Sequence, residues 1–216
     1  MKKVILLLLC FSYLSINAQE KPFWSEISAF VKQDSVNKPK DGIILFVGSS
    51  SFRLWTDLKT DFNNETILNR AFGGATLLDM IRYKDENLLN YHPSKIVLYC
   101  GENDVASSDK VDGKEVFKRF KTVYTMIRKQ YPNVPFVYVS IKPSISRWIM
   151  KARMIDANQR ISSFLSHKKK NTFINIWDAM LENGEPKKDI FREDKLHMNK
   201  KGYAIWTEKM QEVIKN

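Results

Sequence analysis

The sequence contains few cysteines and few histidines. Cysteine forms disulfides, and the two residue types together supply the ligands of most zinc sites. The chain has 2 cysteines and 3 histidines in 216 residues. Cys10 lies in an N-terminal segment that we expect to be removed, which leaves Cys100 without a partner for an intramolecular disulfide. The histidines form no HExxH or paired-histidine motif and no Cys/His cluster, which argues against a metal hydrolase. We therefore expect a domain held together by its core, with no metal and no cofactor.

Long apolar runs are also missing beyond the N-terminus. There, two lysines are followed by an apolar stretch to about Leu14 and by small and polar residues ending at Ala18. This layout is typical of a secretory signal peptide over residues 1–18, and the stretch is too short to span a bilayer. A lipoprotein signal ending at Cys10 is the alternative, disfavoured because the bulky Leu9 precedes it. We expect an exported protein, periplasmic or secreted, without stable membrane insertion.

Acidic residues are outnumbered by basic ones. There are 35 lysines and arginines against 24 aspartates and glutamates, a formal net charge of +11 that falls to +9 once residues 1–18 and their two lysines are removed. Such a charge raises encounter rates with anionic surfaces and glycans, but it decides neither fold nor chemistry. No nucleic-acid-binding motif accompanies the lysines, so we expect no nucleic-acid partner. The oligomeric state has no signature in the sequence.

Short apolar runs alternate with longer amphipathic segments over residues 19–216, which suffice for one ordinary domain. The expected strands are 43–47, 67–71, 96–100, 136–141 and 173–176. The expected helices are 24–31, 76–89, 114–130, 149–166 and 203–214. Continuous apolar strands joined by helices indicate a parallel sheet covered on both faces. We therefore predict an α/β domain built on a five-stranded parallel sheet.

Four short segments, far apart in the sequence, supply the groups that acyl transfer needs. They are Gly48-Ser49-Ser50-Ser51, Gly73-Gly74, Gly101-Glu102-Asn103-Asp104 and Asp194-Lys195-Leu196-His197. All follow, or lie near, the carboxyl ends of predicted strands, where ligands bind in such sheets. The reaction requires a nucleophile, a base, an acid that orients the base, and donors for the oxyanion. Each requirement has a candidate among the four segments.

Each segment also has an ordinary structural explanation. Serines after a strand commonly cap helices, Gly74 suits a turn with positive φ, and Asn103 suits a turn. The residues alone do not decide which of the three serines reacts. His197 is the most distinctive member, because Asp194 is near enough to hold one ring nitrogen while the other faces a serine. We expect Asp104 to brace its loop and not to react.

The four segments, in this order, resemble the SGNH hydrolases, also called the GDSL-type lipases and esterases, over nearly all of residues 19–216. The resemblance implies a flavodoxin-like three-layer α/β/α sandwich and an acyl-enzyme intermediate. It implies that Ser50 is the nucleophile, that Gly74 and Asn103 are oxyanion donors together with the Ser50 N–H, and that Asp194 and His197 are the orienting acid and the base. One position departs from the pattern, since Ser49 stands where the family usually has aspartate.

The substrate is less determined than the chemistry. Two groups of residues are placed to rim the cleft: Arg53 and Trp55 after the first strand, and Lys142-Pro143-Ser144 with Arg147-Trp148 after the fourth. Such aromatic and cationic rims suit sugars. The longest irregular stretch, 180–192, is polar and a poor cover for an acyl tail. We expect hydrolysis of short acyl esters, acetyl above all, on a glycan or small molecule. The alternatives are a lysophospholipase or thioesterase of the same family, and a glycan-binding module that has lost its chemistry.

Overall fold

A five-stranded parallel sheet forms the centre of the molecule. The computed structural model describes residues 21–215, so the signal peptide predicted at residues 1–18 lies outside the described residues. The sheet order is β2-β1-β3-β4-β5, with every pairing parallel. The strands are β1 (Ile43–Gly48), β2 (Ile67–Asn69), β3 (Pro93–Tyr99), β4 (Phe136–Val139) and β5 (Asn171–Ile174). The predicted α/β class and five-stranded parallel sheet are confirmed.

Helices cover both faces of this sheet. In the part of the chain that the structure describes, the α-helices are α1 (Trp24–Val36), α2 (Ser50–Arg53), α3 (Leu58–Phe62), α4 (Leu77–Arg82), α5 (Glu102–Ala106), α6 (Gly113–Gln130), α7 (Lys151–Ser166) and α8 (Lys200–Lys215). None of the described helices is both long and apolar enough to span a membrane.

Neighbouring residues of a strand belong to two different cores. Leu45 packs into a core that includes Phe120 of α6, whereas Phe46 packs into a core that includes Trp206 of α8. This follows from the alternation of side chains across a strand. Because all six residues of β1 are buried, the strand is apolar throughout and not alternating. The result is the three-layer α/β/α sandwich.

Two segments differ from the expected elements. The predicted helix 76–89 is two elements in the structure. The first is α4, which begins with a capping box between Thr76 and Asp79, and the second is a π-helical turn, Asp85–Leu89. The stretch 180–192 is not wholly irregular, since it contains an antiparallel hairpin of β6 (Leu181–Glu182) and β7 (Glu185–Pro186). Asn183 and Gly184 both have positive φ there. An Asn-Gly pair between two short strands is a strong hairpin signal, so this hairpin could have been predicted from the sequence.

Candidate active site

Ser50 stands at the first position of α2, two residues after the end of β1. Gly48 ends β1 with a φ of 131°, and a Cβ at that position would lie 1.9 Å from the carbonyl oxygen of Tyr99. Only glycine allows β1 and β3 to approach this closely where the chain turns into the helix. The N–H of Ser49 donates to the same carbonyl at 2.9 Å. The turn thereby holds Ser50 half-buried at the carboxyl edge of the sheet.

Three side chains form a hydrogen-bonded chain at this edge. Oγ of Ser50 lies 3.0 Å from Nε2 of His197, and Nδ1 of His197 lies 2.6 Å from Oδ2 of Asp194. Burial by itself would raise the pKa of Asp194, but hydrogen bonds from the N–H of Leu196 and from the N–H and ring of His197 lower it to about 2. Asp194 is therefore a carboxylate at neutral pH. It accepts from Nδ1, which leaves Nε2 of the neutral ring to accept from Ser50.

The turn that carries Asp194 and His197 is held from two sides. Within the turn, the N–H of Arg192 donates to the carbonyl of His197 at 2.8 Å, and Lys195 adopts a left-handed φ of 57°. From outside, the N–H of Ser146 donates to the carbonyl of Lys195 at 3.1 Å. The loop that follows β4 thus positions the histidine relative to the sheet.

Asn103 and the glycine loop complete the arrangement around Ser50. Nδ2 of Asn103, in the first turn of α5, donates to Oγ of Ser49 at 2.7 Å and to the carbonyl of Ala75 at 3.1 Å. Gly74, one residue before Ala75, is exposed and has a φ of 74°. The structure therefore brings together all five residues that the sequence singled out. Both amide protons of Asn103 have protein acceptors. Of these two acceptors, the Ser49 hydroxyl can rotate away, whereas the Ala75 carbonyl belongs to the backbone.

Asp104 ties the same loop to two neighbouring helices. Its side chain is fully buried, accepts from the N–H of Leu77 in α4 at 2.9 Å and accepts from Nη1 of Arg119 in α6 at 3.0 Å. Burial raises its pKa to about 6, although both contacts oppose that shift. Asp104 lies behind the site and does not contact Ser50, His197 or Asp194, as expected of a bracing residue.

A buried charged cluster lies behind Asn103. It includes Lys142 and Ser144, so their predicted place on the rim of the cleft is wrong, because both side chains are buried. The carboxylate of Glu102 accepts from Nζ of Lys142 at 2.8 Å, from Oγ of Ser144 at 3.0 Å and from the hydroxyl of Tyr99 at 2.8 Å. Burial opposes the ionisation of Glu102, but the charges of Lys142 and Arg147 and the hydrogen bonds from Lys142 and Tyr99 together outweigh it, so that the pKa of Glu102 is lowered. The signal was present in the sequence: Glu102 and Lys142 each follow shortly after a run of buried apolar residues, 96–100 and 136–139, where a solitary charge would be costly.

Helix α1 also reaches the site, and no sequence signal pointed to this contact. Glu26 of α1 pairs with Nε of Arg53 and accepts the N–H of Gly73, 3.3 Å from each carboxylate oxygen. Arg53 thus lies beside the glycine loop, as predicted for a rim residue. Trp55 does not, because it is 2% exposed and stacks on Tyr203 in the core, with ring centroids 4.9 Å apart.

The comparisons with known proteins agree with this architecture. A family model described as the GDSL-like Lipase/Acylhydrolase family matches residues 44–205. No curated protein matches the chain. A GDSL-like lipase from Bacteroides thetaiotaomicron has a similar structure, with a TM-score of 0.74, 18% identity, and coverage of 88% of this chain and 97% of that one.

Two carbohydrate esterases are also structurally similar. A carbohydrate esterase family 3 protein from Talaromyces cellulolyticus has a TM-score of 0.63 at 14% identity, covering 80% of this chain and 96% of that one. A family 3 carbohydrate esterase from Clostridium thermocellum has a TM-score of 0.61 at 15% identity, covering 82% and 98%. At these identities the likeness shows a shared fold.

Proposed function

Because the chain belongs to the GDSL-like lipase/acylhydrolase family, we propose that it is an exported serine esterase acting on short acyl esters, acetyl esters above all, of a carbohydrate. Family membership supports ester hydrolysis. The observation that carries the proposed mechanism is the hydrogen-bonded chain from Ser50 through His197 to Asp194. The proposal of export rests on the sequence of residues 1–18. The proposal of a carbohydrate is supported by Arg53 beside the glycine loop and by the carbohydrate esterases with a similar fold.

In the proposed mechanism, Oγ of Ser50 attacks the ester carbonyl carbon while Nε2 of His197 takes its proton. The carbonyl oxygen becomes an oxyanion, and the Asp194 carboxylate stabilises the imidazolium across the 2.6 Å contact. His197 then gives its proton to the departing alcohol, which leaves an acyl-serine ester. Water, deprotonated by the same nitrogen, attacks this ester, and the carboxylic acid leaves as Ser50 regains its proton.

Three donors are placed to bind the oxyanion. Within residues 21–215, the backbone N–H groups of Ser50 and Gly74 have no protein acceptor, and both residues follow strands at the carboxyl edge of the sheet. The third donor is Nδ2 of Asn103, which becomes available when the Ser49 hydroxyl turns away. Donors held in place before the reaction lower the barrier because they need no reorganisation when the charge forms.

A hydrolysis screen tests the proposal. Purified protein is offered acetylated monosaccharides and oligosaccharides, phenyl esters, a lysophospholipid and an acyl thioester, with Ser50→Ala as the blank. We expect release of acetate from the acetylated sugars. A lysophospholipid or thioester as the only substrate would replace the carbohydrate assignment by one of those two. Specific glycan binding without turnover of any ester would favour a binding module.

A further inference from the structure

A groove beside the glycine loop holds polar groups that have no part in the steps above, and we propose that it binds a sugar unit of the acylated substrate. The inference rests on the proposed function, because it places the carbohydrate of that ester. The Arg53 groove, as we name it, has a volume of about 250 Å³ and lies between α1, α2 and the end of the edge strand β2. It is lined by Glu26, Ala29, Phe30, Arg53, Asn69 and Ala71.

The groove begins next to the proposed reaction centre. Arg53 lies three residues after Ser50 and ends α2. Its side chain rests on the glycine loop, since a Cβ placed on Gly73 would lie 3.4 Å from Cδ of Arg53. Gly73 directly precedes Gly74, a proposed oxyanion donor. A substrate held at Ser50 therefore has the Arg53 groove as an immediate neighbour.

The pair of Arg53 and Glu26 offers donors and acceptors side by side. Nε of Arg53 donates to the carboxylate of Glu26, and the N–H of Gly73 donates to the same carboxylate. The Arg53 side chain is 45% exposed, and in the part of the chain that the structure describes its two Nη atoms have no protein acceptor. Four N–H donors are thus oriented and open, beside carboxylate lone pairs.

This combination suits hydroxyl groups better than an anion. The positive charge of Arg53 is balanced by Glu26, so a phosphate or carboxylate would meet a carboxylate as well as a guanidinium. A sugar hydroxyl both donates and accepts, and it finds both kinds of partner here. The guanidinium is held at one edge in advance, which reduces the loss of side-chain freedom on binding.

The rest of the groove fits the ring of one sugar. Ala29, Phe30 and Ala71 provide an apolar wall for the C–H groups of a sugar ring. Asn69 holds this wall in shape, because Nδ2 donates to the carbonyl of Phe52 at 2.7 Å and Oδ1 accepts the N–H of Ala71 at 3.0 Å. The volume lies below the roughly 300–1,000 Å³ of pockets for drug-sized ligands, so the groove matches a single sugar unit and not an oligosaccharide.

The test compares an acetylated methyl glycoside with phenyl acetate, which has no sugar. Arg53→Met keeps the length of the side chain and removes its donors. We expect the ratio of kcat/KM for the glycoside to that for phenyl acetate to fall about tenfold, through KM, as for loss of one or two hydrogen bonds to a charged group. Arg53→Lys should recover part of that loss. Arg160→Met is the matched control, because Arg160 is 44% exposed and paired with an aspartate on α7; it should leave the ratio unchanged.

The outcomes separate this inference from the proposed function. If wild-type protein hydrolyses the glycoside but Arg53→Met lowers kcat/KM equally for the glycoside and for phenyl acetate, Arg53 merely holds the glycine loop. The sugar subsite is then overturned. An unchanged ratio overturns it as well. If wild-type protein hydrolyses phenyl acetate and no acetylated glycoside, the carbohydrate assignment itself fails and takes the subsite with it. Thermal unfolding of each variant checks that it is folded. We expect all of them to fold, because exposed ion pairs add little stability.

Discussion

The hydroxyl of Ser50 lies 3.0 Å from Nε2 of His197, although 147 positions separate the two residues in the sequence. Neither neighbouring serine makes this contact. Oγ of Ser49 accepts from Asn103, and Ser51 is 2% exposed, with its carbonyl bound by the hydroxyl of Tyr203. The geometry thus distinguishes Ser50 from two adjacent serines, which the residues alone did not do.

Ser50→Ala should abolish hydrolysis of phenyl acetate, because it removes the attacking oxygen. Ser49→Ala and Ser51→Ala are the matched controls and should retain far more activity. An organophosphonate that labels serine esterases should modify Ser50, as read by mass spectrometry of peptides. A label on Ser51, or an active Ser50→Ala variant, would place the nucleophile elsewhere.

Asn103→Ala should lower kcat by about 10² to 10³ with little change in KM, because the lost donor acts mainly on the transition state. Steady-state kinetics on phenyl acetate measures this. The variant also removes the bond to Ser49, so Ser49→Ala serves as the control for that contact alone. A raised KM with kcat unchanged would make Asn103 a binding residue and remove it from the oxyanion site.

Asp104 should make the protein less stable as pH rises from about 4 to about 7. Its pKa is about 6 in the folded chain against an ordinary value of 3.8, because burial favours the neutral form. The folded state therefore binds more protons in this window, and stability falls with rising pH by up to about 3 kcal/mol from this group. Urea unfolding of wild type and Asp104→Asn across this range isolates the effect. A difference between them that grows in favour of wild type with pH would show that Arg119 outweighs burial.

Lys142→Met should destabilise the fold by about 3–5 kcal/mol, because it leaves the buried Glu102 carboxylate without its main counter-charge. The double variant Glu102→Gln with Lys142→Met removes both charges and should recover much of that loss. Denaturant titration of the two single variants and the double variant gives the coupling energy. Additive losses would mean that the two side chains do not act as a pair.

Short acyl chains should be preferred, with the highest kcat/KM for acetyl and butyryl phenyl esters and a fall by octanoyl. The Arg53 groove is small, partly charged and assigned to the sugar, and the stretch 180–192 is too polar to cover a longer acyl tail. A lipase groove would instead contribute roughly 0.8 kcal/mol for each buried methylene. A soluble ester series, kept below the micelle concentration, measures the trend. A steady rise to decanoyl would favour a lipase.

Local patterns were sufficient for the fold and for the four segments that carry the site. Fully apolar β-strands can be stable only when both faces are covered, so β1 and β4 already imply a parallel sheet between helix layers. The position of the four polar segments at strand ends then placed them at one edge, and the resemblance to the SGNH hydrolases implied Ser50, Gly74, Asn103, Asp194 and His197 within them. Such inferences succeed because periodicity and strand-end position are properties of neighbouring residues.

Only the tertiary structure decided how groups from distant segments meet. It distinguished Ser50 from Ser51, paired Glu102 with Lys142 across 40 positions, and brought Glu26 to Arg53 across 27. It also turned Trp55 into the core, although the sequence allowed it on the rim. These contacts depend on packing angles and side-chain directions, which no local pattern specifies. The sequence by itself determined which chemical groups are present, whereas the packing of α1, α2 and the turn before α8 decided which of them touch.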